Sequence, residues 1–539
     1  MPGRDRQTNG ADRVKPGLKA LSNRSDQPAS SSLDCDNPPS LIAIPVTAEQ
    51  RVIWWRPALI CLVVSVFVLR ARYFGNPAID PDEQFYLLVG DRMLAGAIPY
   101  VDIWDRKPPG LFLLYAGIRL LGGAGIIQYQ LVASAACAAT ALVVAAIGRK
   151  IASPRAALVS AFAYAPALAM SGGAGGQAPV FFNLPIALAA LLITKIIWTP
   201  PSPRNIRRLA VLGMGLAGIA VQIKYTAVFE GGFFALVFAM LAWRADPRWL
   251  PRLAELMLWL VILMTPTALA WLWYAVHGYG DAFVFANFTS ILMRGTYRHA
   301  AGDLAAIAIR LSPFLLAIAM GEWLLAPFRR IDRVARERRA TAIFVSSWLA
   351  VAIAAFLAFG TFFNHYALPL LVPLAIAAAP TFTVGFRRAG PVFAAVLLLA
   401  VYIPYPFEAA RIERRNGGAV FVNHLTALIT ARLGGGCLFV FYGEPILYHT
   451  THSCLPTKWP FPYHLSLTRE SSALGTDSLR EIDRIMASRP TIVVDSEVDD
   501  DEIDDRAQSL VRSWLRRRYR LIERVRLPHS ATNVWQLRS

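Results

Sequence analysis

The sequence predicts an all-α polytopic membrane protein of about eleven transmembrane helices, with a long first external loop carrying interfacial helices, followed by a small extracytoplasmic α/β domain. Three observations carry this. The 539 residues are 55% hydrophobic and only 17% charged, with a mean hydropathy of +0.43, whereas a soluble domain carries roughly 25% charge. The apolar residues gather into repeated charge-poor runs of about 15–25 residues, the length that crosses a hydrocarbon core. From about residue 406 these runs stop, and short helix-like and strand-like patterns alternate instead.

The first fifty residues are rich in Ser, Pro and Asp with mixed charge, which predicts a disordered cytoplasmic tail over 1–50. No small-residue cleavage pattern follows the first apolar run, so that run is expected to remain as an uncleaved helix. Spans are predicted at 53–72, 127–148, 154–171, 180–197, 207–223, 225–243, 252–276, 303–326, 340–360, 366–384 and 390–405. Arg149, Lys150 and Arg155 make one join basic; Lys195, Arg204, Arg207 and Arg208 make another. Arg244, Arg248 and Arg252 follow, then the cluster from Arg329 to Arg339, then Arg387 and Arg388. Every second join is basic, and the positive-inside rule places those joins in the cytoplasm. The N-terminus is then inside and the chain beyond 406 outside. Residues 110–122 are apolar but short of the roughly twenty needed to cross, and as a span they would put every later basic join outside. A helix lying in the interface meets both constraints. The membrane domain is thus expected over 51–405, with its first external loop at 73–126.

The outer tail over 406–539 reads as a layered α/β unit. Helices are expected at 419–432, 477–487 and near 503–517, and strands at 437–442, 491–495, near 519–526 and near 532–537. Cys437 and Cys454 would share an oxidising compartment and could pair; Cys35, Cys61 and Cys137 are given no role. The acidic run Asp499–Asp505 reads as a solvated helix start, because it lacks the Gly and the ligand spacing of a calcium loop.

A formal charge of +18 and a pI near 10.0 would fit a nucleic-acid partner, but the excess Lys and Arg sit in the joins that set orientation, so no nucleic-acid partner is expected. The densest ionisable cluster near a membrane surface lies in the first external loop. It runs Asp80-Pro-Asp82-Glu83-x-x-Tyr86, Asp91-Arg92, then Tyr100-x-Asp102-x-Trp104-Asp105-Arg106-Lys107-Pro-Pro-Gly110. Its carboxylates precede an apolar helical pattern at 84–95, so some are expected to cap that helix at its positive end. Lys107 is held against a Pro-Pro-Gly turn. A fixed carboxylate and a fixed cation over a membrane are what moving a group off a lipid phosphate requires: one takes a proton, the other neutralises charge on the departing phosphate. Plainer roles stand beside this. Tyr100 and Trp104 read as aromatic-belt anchors, Lys224 as a snorkelling lysine, and His365 as an interfacial histidine bonded to backbone.

The loop motif, with Met93-Leu-Ala-Gly and Pro99-Tyr100, resembles the bacterial membrane glycosyltransferases of the C-type fold. More narrowly, it is similar to the family-39, protein-mannosyltransferase-like group that includes aminoarabinose and galacturonic acid transferases. Gly218-Ile-Ala-Val-Gln-Ile-Lys224-Tyr225, Asn364-His365-Tyr366-Ala-Leu-Pro369 and Tyr442-Gly443-Glu444-Pro445-x-x-Tyr448 extend the resemblance along most of the chain. The resemblance implies a polyprenyl-phosphate-linked sugar as donor, an inverting transfer outside the bacterial inner (plasma) membrane, and an extracytoplasmic acceptor: lipid A, lipopolysaccharide core, another surface glycan, or protein. Carried over, Asp82 would be the base with Glu83 beside it, and Asp80 is its rival. Lys107, Arg92 and Lys224 would bind the donor phosphate. Tyr86, Tyr100, Asp102, Asp105, His365 and Tyr366 would line the cavity with Asp80.

One stretch departs from the pattern. Many relatives carry an acidic motif at the outer start of the fourth span, where this chain reads Gly175-Gly176-Gln177-Ala178-Pro179. No metal ligand or cofactor is therefore assigned; a divalent metal is compatible with the resemblance but finds no support here. The other readings are a transporter or lipid flippase, and a non-catalytic relative of the transferases. A transporter usually places charges near the midplane and shows repeated halves, and neither pattern is seen.

Overall fold

The computed structural model describes residues 48–199, 202–325, 333–383, 389–498 and 501–538. Contacts divide the chain into Met1–Arg51 and Val52–Ser539; the tail expected over 1–50 lies almost wholly outside the described residues. Ten helices among those described are long and apolar enough to cross a membrane, and the protein is multi-pass. Before them runs α1 (Ala48–Arg70), with no charged residue from Pro57 to Leu69. Then come two short helices of the first loop, α2 (Pro81–Leu94) and α3 (Pro109–Arg119). The next spans are α4 (Ile126–Ile151), α5 (Pro154–Leu168), α6 (Ala178–Ile197), α7 (Pro203–Ile223), α8 (Ala227–Ala245) and α9 (Trp249–Val276). Two short segments follow, α10 (Gly280–Val284) and α11 (Ser290–Leu292), before α12 (Ala300–Leu325) and α13 (Arg333–Ala358). The tenth span runs as a tight helix over Asn364–Leu370, continues as α14 (Leu371–Ala378), and is followed by α15 (Gly390–Tyr402). Each of the eleven predicted runs thus has its helix. In lipid no water can satisfy a free backbone amide, so an apolar run has to close its hydrogen bonds internally. The 110–122 run is only the eleven-residue α3, too short to cross.

Alanine-rich faces let α4, α5 and α6 pack closely, with Ala133, Ala141, Ala157, Ala161, Ala187 and Ala190 fully buried. By contrast α9 turns Leu250, Val261, Leu269 and Trp271 outward, as a lipid-facing helix does. At its C-terminal end α5 leaves helical geometry: within a wide turn over Ala169–Gly173, Gly172 adopts φ +90°. That break sends the chain across the bundle as an irregular crossing, Gly173–Gln177. Such backbone is tolerated at this depth only when protein satisfies it. The buried Arg70 does so, donating from Nη1 to Gly173 O and from Nη2 to Gly175 O (2.7 Å each), and from Nε to Ser134 Oγ at 2.9 Å.

The C-terminal unit begins with α16 (Tyr405–Asn416) and α17 (Gly418–Leu433). Its sheet has strands β1 (Leu438–Tyr442), β2 (Ile492–Val498), β3 (Tyr519–Leu527) and β4 (Ser530–Leu537) in the order β1-β2-β4-β3. Only β1 and β2 are parallel; Val440 pairs with Val494, which pairs in turn with Val534. Short helices α18 (Ile446–Thr450) and α19 (Pro462–Ser466), then α20 (Ser478–Ala487) and α21 (Asp505–Arg518), complete the unit. The core joins Leu438, Val440, Val493 and Val534 to Leu425, Ile485, Val511 and Leu515. Cys437 and Cys454 form a disulfide. Asp504 caps α21 by accepting from Arg506 N and Ala507 N. The helix α16 is not among the predicted elements, since its polar Glu-Ala-Ala-Arg-Ile-Glu-Arg-Arg face gives no span signal. It anchors the first loop: Asn416 Nδ2 donates to Ala78 O (3.0 Å) and Ile79 O (3.1 Å), fixing the chain just before Asp80.

Candidate active site

The start of α2 organises the site. Pro81 supplies the fixed φ of a first helical residue, and Asp80 is the N-cap, its Oδ1 accepting from Asp82 N at 2.9 Å. Three carboxylates then leave one helical turn in different directions. Glu83 is completely buried. Its Oε2 accepts from Gly176 N, its Oε1 from the Tyr129 hydroxyl at 3.2 Å, while Tyr115 donates to Gly176 O at 2.6 Å. A Cβ on Gly175 would overlap the Glu83 carboxylate, so glycine there is what lets the acid dock on the crossing. Burial, and then the charge of Asp80, push Glu83 up to about 8. It holds the wall, because one oxygen is spent on the Gly176 amide and the other on the Tyr129 hydroxyl.

Asp82 faces cations. Its Oδ2 lies 3.8 Å from Lys107 Nζ and 3.8 Å from His365 Nε2. Lys107 Nζ is also 3.9 Å from Asp105 Oδ2 and sits 5.3 Å from the Tyr86 ring centroid. Lys224 Nζ caps the Tyr366 ring at 4.1 Å. Burial would raise Asp82, but Lys107, then His365 and Lys224, outweigh it and hold the carboxyl at about 2. Burial and the neighbouring Asp82 push Asp80 the other way, to about 7. Burial, then Lys107, push Lys224 down to about 7. Burial raises Asp105 against the pull of Lys107. Tyr100, at φ +70°, donates its hydroxyl to Lys107 O at 2.7 Å and so sets the lysine's backbone. Two of the expected site residues stand apart. Arg92, in the last turn of α2, donates to Ser453 O at 2.5 Å, and the exposed Asp102 accepts from Ile98 N at 2.8 Å. Both are used in tying loops and do not join the ring around Asp82.

Behind Lys107 lies a charged cluster that sequence spacing does not reveal. Arg106 pairs with Glu470 at 2.5 Å and donates to Ser290 Oγ at 2.7 Å. Glu470 also holds Arg294 at 2.6 Å, whose side chain bonds Tyr366. These arginines come from the first loop and from the join after α11, and the glutamate from the C-terminal unit; no local spacing links them. The position of Arg294 in the join before α12 is the one available signal.

Two cavities open beside this ring, one lined by Asp80 and the other by Lys224. A polar one of about 860 Å³ has Asp80 in its floor and Gly172, Asn364, Arg411, Arg415, Glu444 and His529 among its walls. On the other side a narrow apolar groove of about 30 Å³ is headed by Lys224 and Tyr366 and walled by Phe356, Phe359 and Leu370. Among the described residues no group of three or more His, Cys, Asp or Glu is arranged to hold a metal ion. Between Asp80 and Asp82 stands the Gln177 amide instead, its Nε2 2.6 Å from Asp80 Oδ1 and 3.5 Å from Asp82 Oδ2.

No family model matches the sequence, and no curated protein does. Solved structures do match. ArnT from Cupriavidus metallidurans in the apo state superposes with a TM-score of 0.59 at 15% identity, covering 90% of this chain and 98% of that one. The fold is that of the C-type membrane glycosyltransferases. The same ArnT bound to undecaprenyl phosphate gives 0.56 at 15% identity over the same shares. The oligosaccharyltransferase AglB from Archaeoglobus fulgidus, in complex with an inhibitory peptide and a dolichol-phosphate, gives 0.52 at 10% identity, with 82% of this chain and 69% of that one covered.

Proposed function

We propose that this C-type-fold protein transfers a monosaccharide from a polyprenyl-phosphate donor to an extracytoplasmic acceptor in a bacterial inner membrane. The observation that carries it is the Asp82–Lys107 pair, 3.8 Å apart, set between a polar cavity and an apolar groove headed by a second lysine. Lys224 at the head of the groove, with Lys107 and Arg294, suits the carrier phosphate; the polar cavity suits the acceptor glycan, lipid or protein. The neighbours' ligands, undecaprenyl phosphate and dolichol-phosphate, support a lipid-phosphate carrier.

Chemically, the acceptor oxygen attacks the anomeric carbon, its bond to the carrier phosphate breaks, and the configuration inverts. The acceptor proton passes to Asp82, and polyprenyl phosphate leaves against Lys107 and Lys224. In the free protein Asp82 is too well paired to be a strong base. A bound phosphate competes for both lysines, which raises the proton affinity of Asp82 only when the donor is in place. Arrangement of the C-terminal unit outside, with the N-terminus inside, is supported by the alternating basic joins and by the Cys437–Cys454 disulfide.

Membranes carrying Asp82→Asn or Lys107→Ala, supplied with a panel of polyprenyl-phosphate sugars, test the reading. Each variant is expected to lose roughly 10²–10³-fold in transfer. Wild-type rates in both variants would end it. Reporter fusions after residues 335 and 460 check orientation; a cytoplasmic signal at 460 would reverse it.

A further inference from the structure

Two carboxylates that share a site repel, and relief comes from a shared proton, a nearby cation or a hydrogen-bond donor. For Asp80 and Asp82 the chain itself brings a donor to both. The Gln177 amide nitrogen carries two hydrogens and no acceptor lone pair, and it lies within reach of one oxygen of each acid, at 2.6 and 3.5 Å. A cation bridging those oxygens would need the volume that this –NH2 group fills. Nor is the side chain adventitious. Gln177 is 1% exposed, and the preceding peptide is gripped on both sides, Gly176 N by Glu83 and Gly176 O by Tyr115. Its amide oxygen has a different status: Gln177 Oε1 is buried and has no hydrogen-bond partner among the described residues. It is an unpartnered acceptor beside two carboxylates, one of which, Asp80, lines the polar cavity. A buried acceptor left unmade is costly, so that oxygen favours a bound hydroxyl.

We infer that Gln177 is a positioning residue standing where a bridging cation would otherwise sit: its amide hydrogens clamp Asp80 and Asp82, so that transfer needs no divalent ion, and its Oε1 receives a hydroxyl of the incoming acceptor. The inference rests on Asp82 as the base. It makes this chain self-sufficient at a point where three carboxylates would form a metal site.

The test uses the full-length protein in lipid nanodiscs, with Mn²⁺ as the probe. Gln177→Glu keeps the shape and turns the cluster into three carboxylates. It is expected to acquire a bound Mn²⁺ signal in electron paramagnetic resonance, over and above whatever wild type shows. Its transfer from the polyprenyl-phosphate sugar panel should fall roughly 10–100-fold in chelator and recover with Mn²⁺. Wild-type transfer should be indifferent to chelator, and Gln177→Ala should lose activity that Mn²⁺ does not restore. Chelator-sensitive wild-type transfer restored by Mn²⁺ would overturn the inference, as would a Gln177→Glu protein with no added Mn²⁺ signal. Asp82→Asn, run in parallel, separates the two levels. If it kills transfer while the Gln177 variants behave as wild type, only this inference falls; if it leaves transfer intact, the base assignment falls and takes the inference with it.

Discussion

Replacing Lys107 by Met removes the charge and keeps most of the bulk, and its effect on Asp82 can be worked from the structure. At 3.8 Å, with an effective dielectric near 20, the attraction is about 4 kcal/mol. Side-chain exposures of 23% and 17% leave some of this screened. Loss of one opposite charge at this range moves a carboxyl by roughly 1–3 units, or about 1.4–4 kcal/mol. The sign follows from the depressed value. Asp82 at about 2 lies below its unfolded value, so its stabilising contribution is present above about pH 4 and disappears only as pH falls through the folded value. Without Lys107 the carboxyl rises, and that contribution shrinks at neutral pH. Asp82→Asn alone leaves the lysine with Asp105 as its remaining partner, whereas Lys107→Met with Asp82→Asn removes both members of the pair. A double-mutant cycle by denaturant titration of the purified full chain at about pH 7.5 should therefore return a coupling of about 1.4–4 kcal/mol. Additivity within about 0.5 kcal/mol would refute the pairing and the electrostatic argument built on it.

Two further outcomes are expected. Gly175→Ala should drive a Cβ into the Glu83 carboxylate and cost roughly 1–3 kcal/mol as overpacking, read as a lowered denaturation midpoint; an unchanged midpoint would remove Glu83 from the wall. Asp495 on β2 is held up at about 7 by burial, so the folded state keeps a proton that the unfolded chain releases near 4. Stability should then fall as pH rises from about 4 to 7. Asp495→Asn should abolish that slope and gain up to about 4 kcal/mol at about pH 8, with little change at about pH 4; parallel pH profiles for variant and wild type would contradict it.

Much of this architecture is legible from residues alone because lipid is an unforgiving solvent. Apolar run length marks α4 to α9 directly, and the shortness of 110–122 is enough to keep α3 from being read as a span. The C-terminal unit is readable for a different reason: α20 and β2 carry clean periodicities bounded by turn residues. Asp80, Asp82 and Lys107 stand out within one loop, where a cap, a proline and a Pro-Pro-Gly turn announce fixed geometry. Arg92 stands out by the same proximity, yet its helical position turns it toward Ser453. What the sequence conceals is the meeting of distant segments. Nothing local tells that Glu83 spends its oxygens on Gly176 and Tyr129, that Glu470 steadies Arg106 and Arg294, or that the amide of Gln177 reaches Asp80. The non-acidic 175–179 stretch is visible only as a departure; its donor function needs the fold. The polar α16 escapes prediction because a helix pinned by Tyr405 to the end of α1 and by Asn416 to the loop before Asp80 carries no hydropathic signature.

The seam between the first loop and the C-terminal unit also sets a timetable for biosynthesis. Gln84 bonds Glu444 across 360 residues of chain, and Arg106 meets Ala473 across 367. Trp104 N is satisfied by Lys458 O. At the usual pace of about 5–20 residues per second, the ribosome exposes the carboxylate loop tens of seconds before these partners exist. During that interval the loop lacks its clamps, and the proposed centre cannot assemble. A truncation before α19 should therefore leave a bundle whose Arg106 has lost both Glu470 and Ala473.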